Sequence, residues 1–233
     1  MKRSGGTEKQ KRRAGERAAD AVSDGDVVGL GTGSTAAEAI RALGRRVDAG
    51  LDIRAVATSY QSRRLAREAS IPLTTLEEAS PDIAIDGADR IAGIDGDGPP
   101  ALIKGGGAAH AREKLVDAAA DRFVVVADPT KLTDRLDGSV PVETLPDAVP
   151  VVTEALSALG GEPTLRAAAH KDGPVVTDNG NLVVDCAFGR IPDPGSLATD
   201  LAALPGVLEH GLFVGLADAV YVGTDDGVDA YRF

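Results

Sequence analysis

The sequence predicts an α/β protein: a Rossmann-like, doubly wound, mostly parallel sheet joined to a second, smaller α+β unit of ferredoxin-like pattern. Three observations predict it. Short apolar runs, from residues 27–30 to residues 123–127, each end in polar or glycine residues and lead into a helix or loop. That is the pattern of buried parallel strands with helices on both faces. The first run passes through Gly31-Thr32-Gly33-Ser34-Thr35 into a helical stretch, and ligands of such sheets bind beyond the strand C-termini. After Lys131 the alternation changes to strand, helix, paired strands and helix.

In chain order, residues 1–7 read as a loose terminus, and 8–22 have helical spacing with Ala14, Ala18, Ala21 and Val22 inward. Strand 27–30 and helix 36–46 flank the glycine-rich turn, and strand 53–57 precedes a helix at 60–69. Short strands follow at 73–76, 83–85 and 101–103, then a helix at 108–120 and the apolar strand 123–127. The smaller unit reads as strand 141–145, helix 148–159, strands 164–168, 175–176 and 182–185, and helix 194–204. Late strands at 212–216 and 219–222 rejoin the main sheet. The expected units are therefore 1–135 with 212–233 returning to it, and 136–211.

Two stretches carry chemistry. Residues 31–35 place backbone amides and hydroxyls at a helix start, a phosphate cradle. It is not a Walker loop, because no Gly-Lys-Ser/Thr follows. Ser34 stands where a third dinucleotide-fold glycine would be, and strand 53–57 ends on Thr58-Ser59 and not on an acid. The anchor therefore suits a small phosphorylated molecule better than NAD. The second stretch begins with Asp86-Gly87-Ala88-Asp89, two carboxylates in a tight turn at a strand end. Lys104-Gly105-Gly106-Gly107 then opens a helix that carries Glu113. An ammonium, bare amides and a helix start form a corner that stabilises an anion. The anion is a phosphate, or an oxyanion that develops during reaction. Glu113, two turns into the helix, is a candidate general base. Thr32–Thr35, Asp86, Lys104 and Lys131 are all expected beyond the strand ends.

Composition narrows the function. The 233 residues carry a net charge of −11, from 18 Arg and 7 Lys against 25 Asp and 11 Glu. That surface repels phosphate backbones and argues against nucleic-acid binding. It also resembles surfaces adapted to concentrated salt. No apolar run reaches 18 residues, so no membrane span and a cytoplasmic location are expected. Cys186 is alone, and His110, His170 and His210 are scattered, so no metal site and no cofactor is expected. His110 is the histidine nearest the glycine corner.

Five motifs in order resemble the type A ribose-5-phosphate isomerase family: 29–36, 86–89, 104–109 with Arg112-Glu113-Lys114, 127–131 and 176–181. The resemblance runs from about Lys9 to the C-terminus. It implies interconversion of ribose 5-phosphate and ribulose 5-phosphate without a metal, in a homodimer or homotetramer. It implies that Glu113 moves the proton between C1 and C2, while Asp86 and Asp89 bind sugar hydroxyls and assist ring opening. It further implies that Lys104 and the glycine amides hold the enediolate oxygen, and that Ser34, Thr35 and Lys131 bind phosphate with help from Lys11. Arg90 departs from the Glu usual in the family after Asp-Gly-Ala-Asp. The residues also suit an amino-sugar-phosphate isomerase or deaminase, or a sugar-phosphate sensing domain.

Overall fold

The computed structural model describes residues 5–233, so residues 1–4 of the expected loose terminus lie outside the described part. Helix α1 (Glu8–Ala19) opens on a capping box in which the Thr7 hydroxyl accepts from the Gln10 amide and the Gln10 side chain accepts from the Thr7 amide. Strand β1 (Val27–Leu30) leads through the glycine turn to α2 (Ser34–Asp48). Strand β2 (Arg54–Ala57) leads to α3 (Tyr60–Glu68), which the Ser59 hydroxyl caps. There follow β3 (Ile83–Gly87), β4 (Arg90–Ala92), β5 (Ala101–Ile103), α4 (His110–Ala119), β6 (Phe123–Ala127) and β7 (Leu132–Thr133). The smaller unit contains β8 (Ser139–Thr144), α5 (Val149–Ala158), β9 (Glu162–Leu165), β10 (Leu182–Ala187), α6 (Pro194–Ala202) and β11 (Val207–His210). Strands β12 (Leu212–Val214), β13 (Ala219–Gly223) and β14 (Val228–Arg232) end the chain.

The main sheet has the order β14-β13-β6-β3-β1-β2. All neighbours are parallel except the edge hairpin β13–β14. Because the chain leaves β1 for β2 on one side and β3 lies on the other, the topological switch falls between β1 and β3. The strands alternate between two cores. Val28, Leu30, Ile83, Ile85, Val124 and Val126 pack beneath the first helices. On the other face, Ala84, Val125, Ala127 and Val220 pack against Ile91, Leu102 and Phe213. Val27 and Val56 on that face pack against Val116 of α4. The smaller sheet has the order β11-β8-β10-β9, all antiparallel, which is the ferredoxin-like order expected.

Several expectations are corrected. Residues 101–103 and 212–214 do not join the parallel sheet; they form an antiparallel pair within a third sheet, β12-β5-β4-β7. The second face is thus covered by a sheet and one helix, not by helices alone. A run of three apolar residues is too short for its periodicity to reveal its partner. Residues 73–76 make only an isolated bridge, Leu73 to Ala55, and 175–176 only a bridge from Val176 to Leu182. Strand β9 begins and ends earlier than the expected 164–168. Strands β4, β7, β11 and β14 were not anticipated; each is short or lies in a polar stretch.

Candidate active site

The switch point brings the sequence-predicted residues together. An open cavity is lined by Thr32–Thr35, the Gly87-Ala88-Asp89 turn, Lys104–Gly107, Glu113 and Lys131. The close approach of its walls depends on glycine. At Gly31 a Cβ would sit 2.1 Å from the Asp86 carboxyl carbon, so only a bare backbone lets β1 and β3 splay around that carboxylate. At Gly105, φ is +101°, and a Cβ would meet the His110 ring at 2.8 Å.

Lys104 is the centre of the charge arrangement, with only 2% of its surface exposed. Its ammonium donates to the Gly87 carbonyl at 2.5 Å and lies 2.8 Å from Asp86 Oδ2. Glu113 Oε2 lies at 3.5 Å and Asp117 Oδ2 at 4.0 Å. Asp86 stands behind the cavity wall, fully buried, and its Oδ1 accepts from the Thr32 and Gly87 amides at 2.9 and 2.6 Å. Asp89 lines the cavity, and its Oδ2 accepts from the Gly106 amide at 2.7 Å, pinning the glycine corner to the Asp-Gly-Ala-Asp turn.

Three buried carboxylates thus surround one buried ammonium. Burial raises the pKa of Asp86, against the pull of Lys104 and two backbone donors. Burial and the charge of Asp86 raise Glu113 to about 8, despite Lys104. Asp117 is raised well above its ordinary value by burial, Asp86 and Glu113. Burial alone would lower Lys104, but Asp86, Glu113 and Asp117 together raise it, so the ammonium stays charged. A base near neutrality, an ammonium and a bare-amide corner in one cavity can take a proton from carbon beside a carbonyl and hold the oxyanion that forms.

The cradle side is built differently from the expectation in one respect. The Thr32 hydroxyl does not face outward alone; it donates to Ser59 Oγ at 2.7 Å and lies 2.9 Å from Thr58 Oγ1. The first turn of α2, from Ser34, has no side-chain cap, so its amides face the cavity end of the helix. Lys131 also lines the cavity, from a short 3₁₀ turn. Lys11 is not among the lining residues; its ammonium pairs with Glu8 at 2.9 Å. Arg90 pairs with Asp137 at 3.3 Å and does not line the cavity. Among the described residues there is no cluster of three metal-ligating side chains.

The family profile of ribose 5-phosphate isomerase A (phosphoriboisomerase A) matches residues 54–227. The chain belongs to the ribose 5-phosphate isomerase A family. It is 74% identical over 229 residues to ribose-5-phosphate isomerase A of Natronomonas pharaonis, covering 98% of this chain and 99% of that one. It superposes on ribose 5-phosphate isomerase A of Methanocaldococcus jannaschii with a TM-score of 0.91 at 43% identity, covering 96% of this chain and 98% of the other. A D-ribose-5-phosphate isomerase solved in complex with phospho-erythronic acid gives a TM-score of 0.93 at 40% identity, covering 98% and 100%.

Three residues that contact the cavity lining, Asp117, Thr58 and Ser59, are not among those the sequence points to. Asp117 was legible in principle, since it lies one turn from Glu113 on the same face of α4. Thr58 and Ser59 were noted only as a strand end lacking an acid. Their role beneath Thr32 depends on a contact that pairs β1 with β2. His110 is fully buried, with neither ring nitrogen hydrogen-bonded. Burial first, then the charges of Arg166 and Lys114, lower it to about 3, so it is a neutral packing residue behind Gly105.

Proposed function

We propose that this chain interconverts D-ribose 5-phosphate and D-ribulose 5-phosphate through an enediolate, with Glu113 as the general base. The observation that carries the reading is the placement of Glu113 Oε2 3.5 Å from the Lys104 ammonium in a cavity that also holds a bare helix start. Glu113 moves the proton between C1 and C2. Lys104 and the amides of Gly105, Gly106 and Gly107 stabilise the oxygen that gains charge. Ser34, Thr35 and Lys131 hold the phosphate, with the α2 dipole behind them. Asp89 meets sugar hydroxyls, and buried Asp86 acts through Lys104 by fixing its ammonium.

The solved relative that binds phospho-erythronic acid supports the substrate class, since that ligand pairs a phosphate with an acid group where an enediolate would form. No helix among the described residues is long and apolar enough to cross a membrane. A cytoplasmic location and a homodimer or homotetramer are part of the same proposal, and light scattering on the purified protein tests the assembly.

Glu113→Gln keeps the side-chain shape and removes the base. Turnover of ribose 5-phosphate should fall roughly a hundred- to ten-thousand-fold, the usual share of general-base catalysis. Wild-type turnover in D2O should place deuterium at C1 of ribulose 5-phosphate. A Gln variant with more than about a tenth of the wild-type rate would remove Glu113 from the role.

A further inference from the structure

The smaller α+β unit supplies no residue to the cavity wall, yet it reaches the catalytic corner by side chain. Arg166, just after β9, donates from Nη1 to the Gly105 carbonyl at 2.9 Å. Its Nε donates to Asp185 Oδ2 at 2.7 Å, and its Nη2 pairs with Asp185 Oδ1, a two-point clamp from β10. The pair is largely buried, with 14% and 22% of the two side chains exposed.

Gly105 is the residue that most needs such a hold. It follows Lys104 directly, sits at φ +101°, and starts a run of three glycines with high conformational freedom. The turn then closes through Ala108, a non-glycine residue at φ +59° whose amide donates to the same Gly105 carbonyl at 2.9 Å. A strained turn persists only where its surroundings over-determine it. On the other side, Asp89 holds Gly106. The corner is therefore gripped at successive residues, from the main sheet by Asp89 and from the smaller unit by Arg166.

We propose that Arg166, clamped by Asp185, is a positioning residue for the isomerisation: it fixes the Gly105 carbonyl and so aims the following amides and Lys104 at the reacting oxygens. The inference rests on the enediolate reading above. A planar, two-point guanidinium suits the task where a lysine does not, because it bonds Asp185 and Gly105 in set directions at once. Arg166 bonds to Gly105 and Asp185, and neither belongs to the phosphate cradle on α2 and the Lys131 turn.

The test compares Arg166→Met, Arg166→Lys and Asp185→Asn with wild type. In folded Arg166→Met, kcat should fall about a hundred-fold, the scale of a misplacement near 1 Å. Competitive inhibition by inorganic phosphate should stay within about twofold of wild type, since Arg166 does not touch the cradle. Arg166→Lys should not restore kcat, whereas added guanidinium should raise kcat of an Arg166→Ala variant. Asp185→Asn should show the same split between kcat and phosphate inhibition. Unchanged kcat in a folded Arg166→Met variant overturns the proposal. So does a loss of kcat that merely tracks the unfolded fraction, or that weakens phosphate inhibition equally. Glu113→Gln measured in parallel separates the two ideas: full activity there defeats the base assignment, while an inactive Glu113→Gln beside an unaffected Arg166→Met defeats only the positioning role.

Discussion

Glu113 illustrates how burial changes the proton affinity of a single carboxylate. In water it would be ionised at neutral pH and weakly basic. Burial, with Asp86 close by, carries it to about 8. The proposed reaction needs the deprotonated form of Glu113, so kcat/KM should rise with pH through a limb centred near 8 in the free enzyme. Asp86→Asn removes a like charge from Glu113 and also frees Lys104 to act on it. Both effects lower the Glu113 pKa, so the limb should move to lower pH even as kcat declines. A pH–rate profile of the variant checks this, and an unmoved limb would show that the two carboxylates are not coupled.

At the scale of the element, α4 is the most consequential helix. Glu113 and Asp117 stand one turn apart on its buried face, and the residues beside Glu113 tie the helix to the smaller unit. Arg112 donates to Asn179 Oδ1 at 2.8 Å, and Lys114 to Glu209 at 2.6 Å and to the His210 carbonyl at 2.7 Å. The turn holding Asn179 is itself organised by buried Glu143, whose Oε1 accepts from Thr177, Asn179 and Asn181. Asp117 bears a stability cost. Its folded pKa lies well above the unfolded value, so the folded state binds a proton that the unfolded state has lost. That contribution is complete below the unfolded pKa, near 4, and declines as pH rises towards the folded value. Asp117→Asn should therefore melt higher than wild type near pH 8, with the gap shrinking towards pH 5. Equal gaps at both values would mean that Asp117 is ionised in the native protein.

The whole molecule is defined by its charge. A net −11 spread over 233 residues destabilises the compact state by self-repulsion, and salt screens it. The melting temperature should rise between dilute buffer and molar potassium chloride. The carboxylate cluster around Lys104 is buried, so the pH limb expected of Glu113 should move far less over the same range. Scanning calorimetry across the salt series measures the first, and a flat response would exclude adaptation to concentrated salt.

The parallel sheet, the ferredoxin-like unit and the stretches that form the cavity are all legible in the residues alone. Those features are local: apolar runs closed by glycine or polar residues, and motifs in which neighbours in sequence are neighbours in space. Of the residues expected beyond the strand ends, Thr32–Thr35, Lys104 and Lys131 line one cavity; the shared edge of a parallel sheet accounts for the cradle after β1, whereas Lys104 arrives from β5 in the third sheet. Only the folded chain shows that β5 and β12 leave that sheet for one of their own, since strand pairing is a long-range choice that three residues do not encode. It decided that Asp86 stands behind the wall and that Lys11 stays with Glu8. It also decided that Arg166 grips Gly105 across 61 residues of chain. Burial is the largest cause raising all three carboxylates, because desolvation depends on what covers a group and not on which residues flank it.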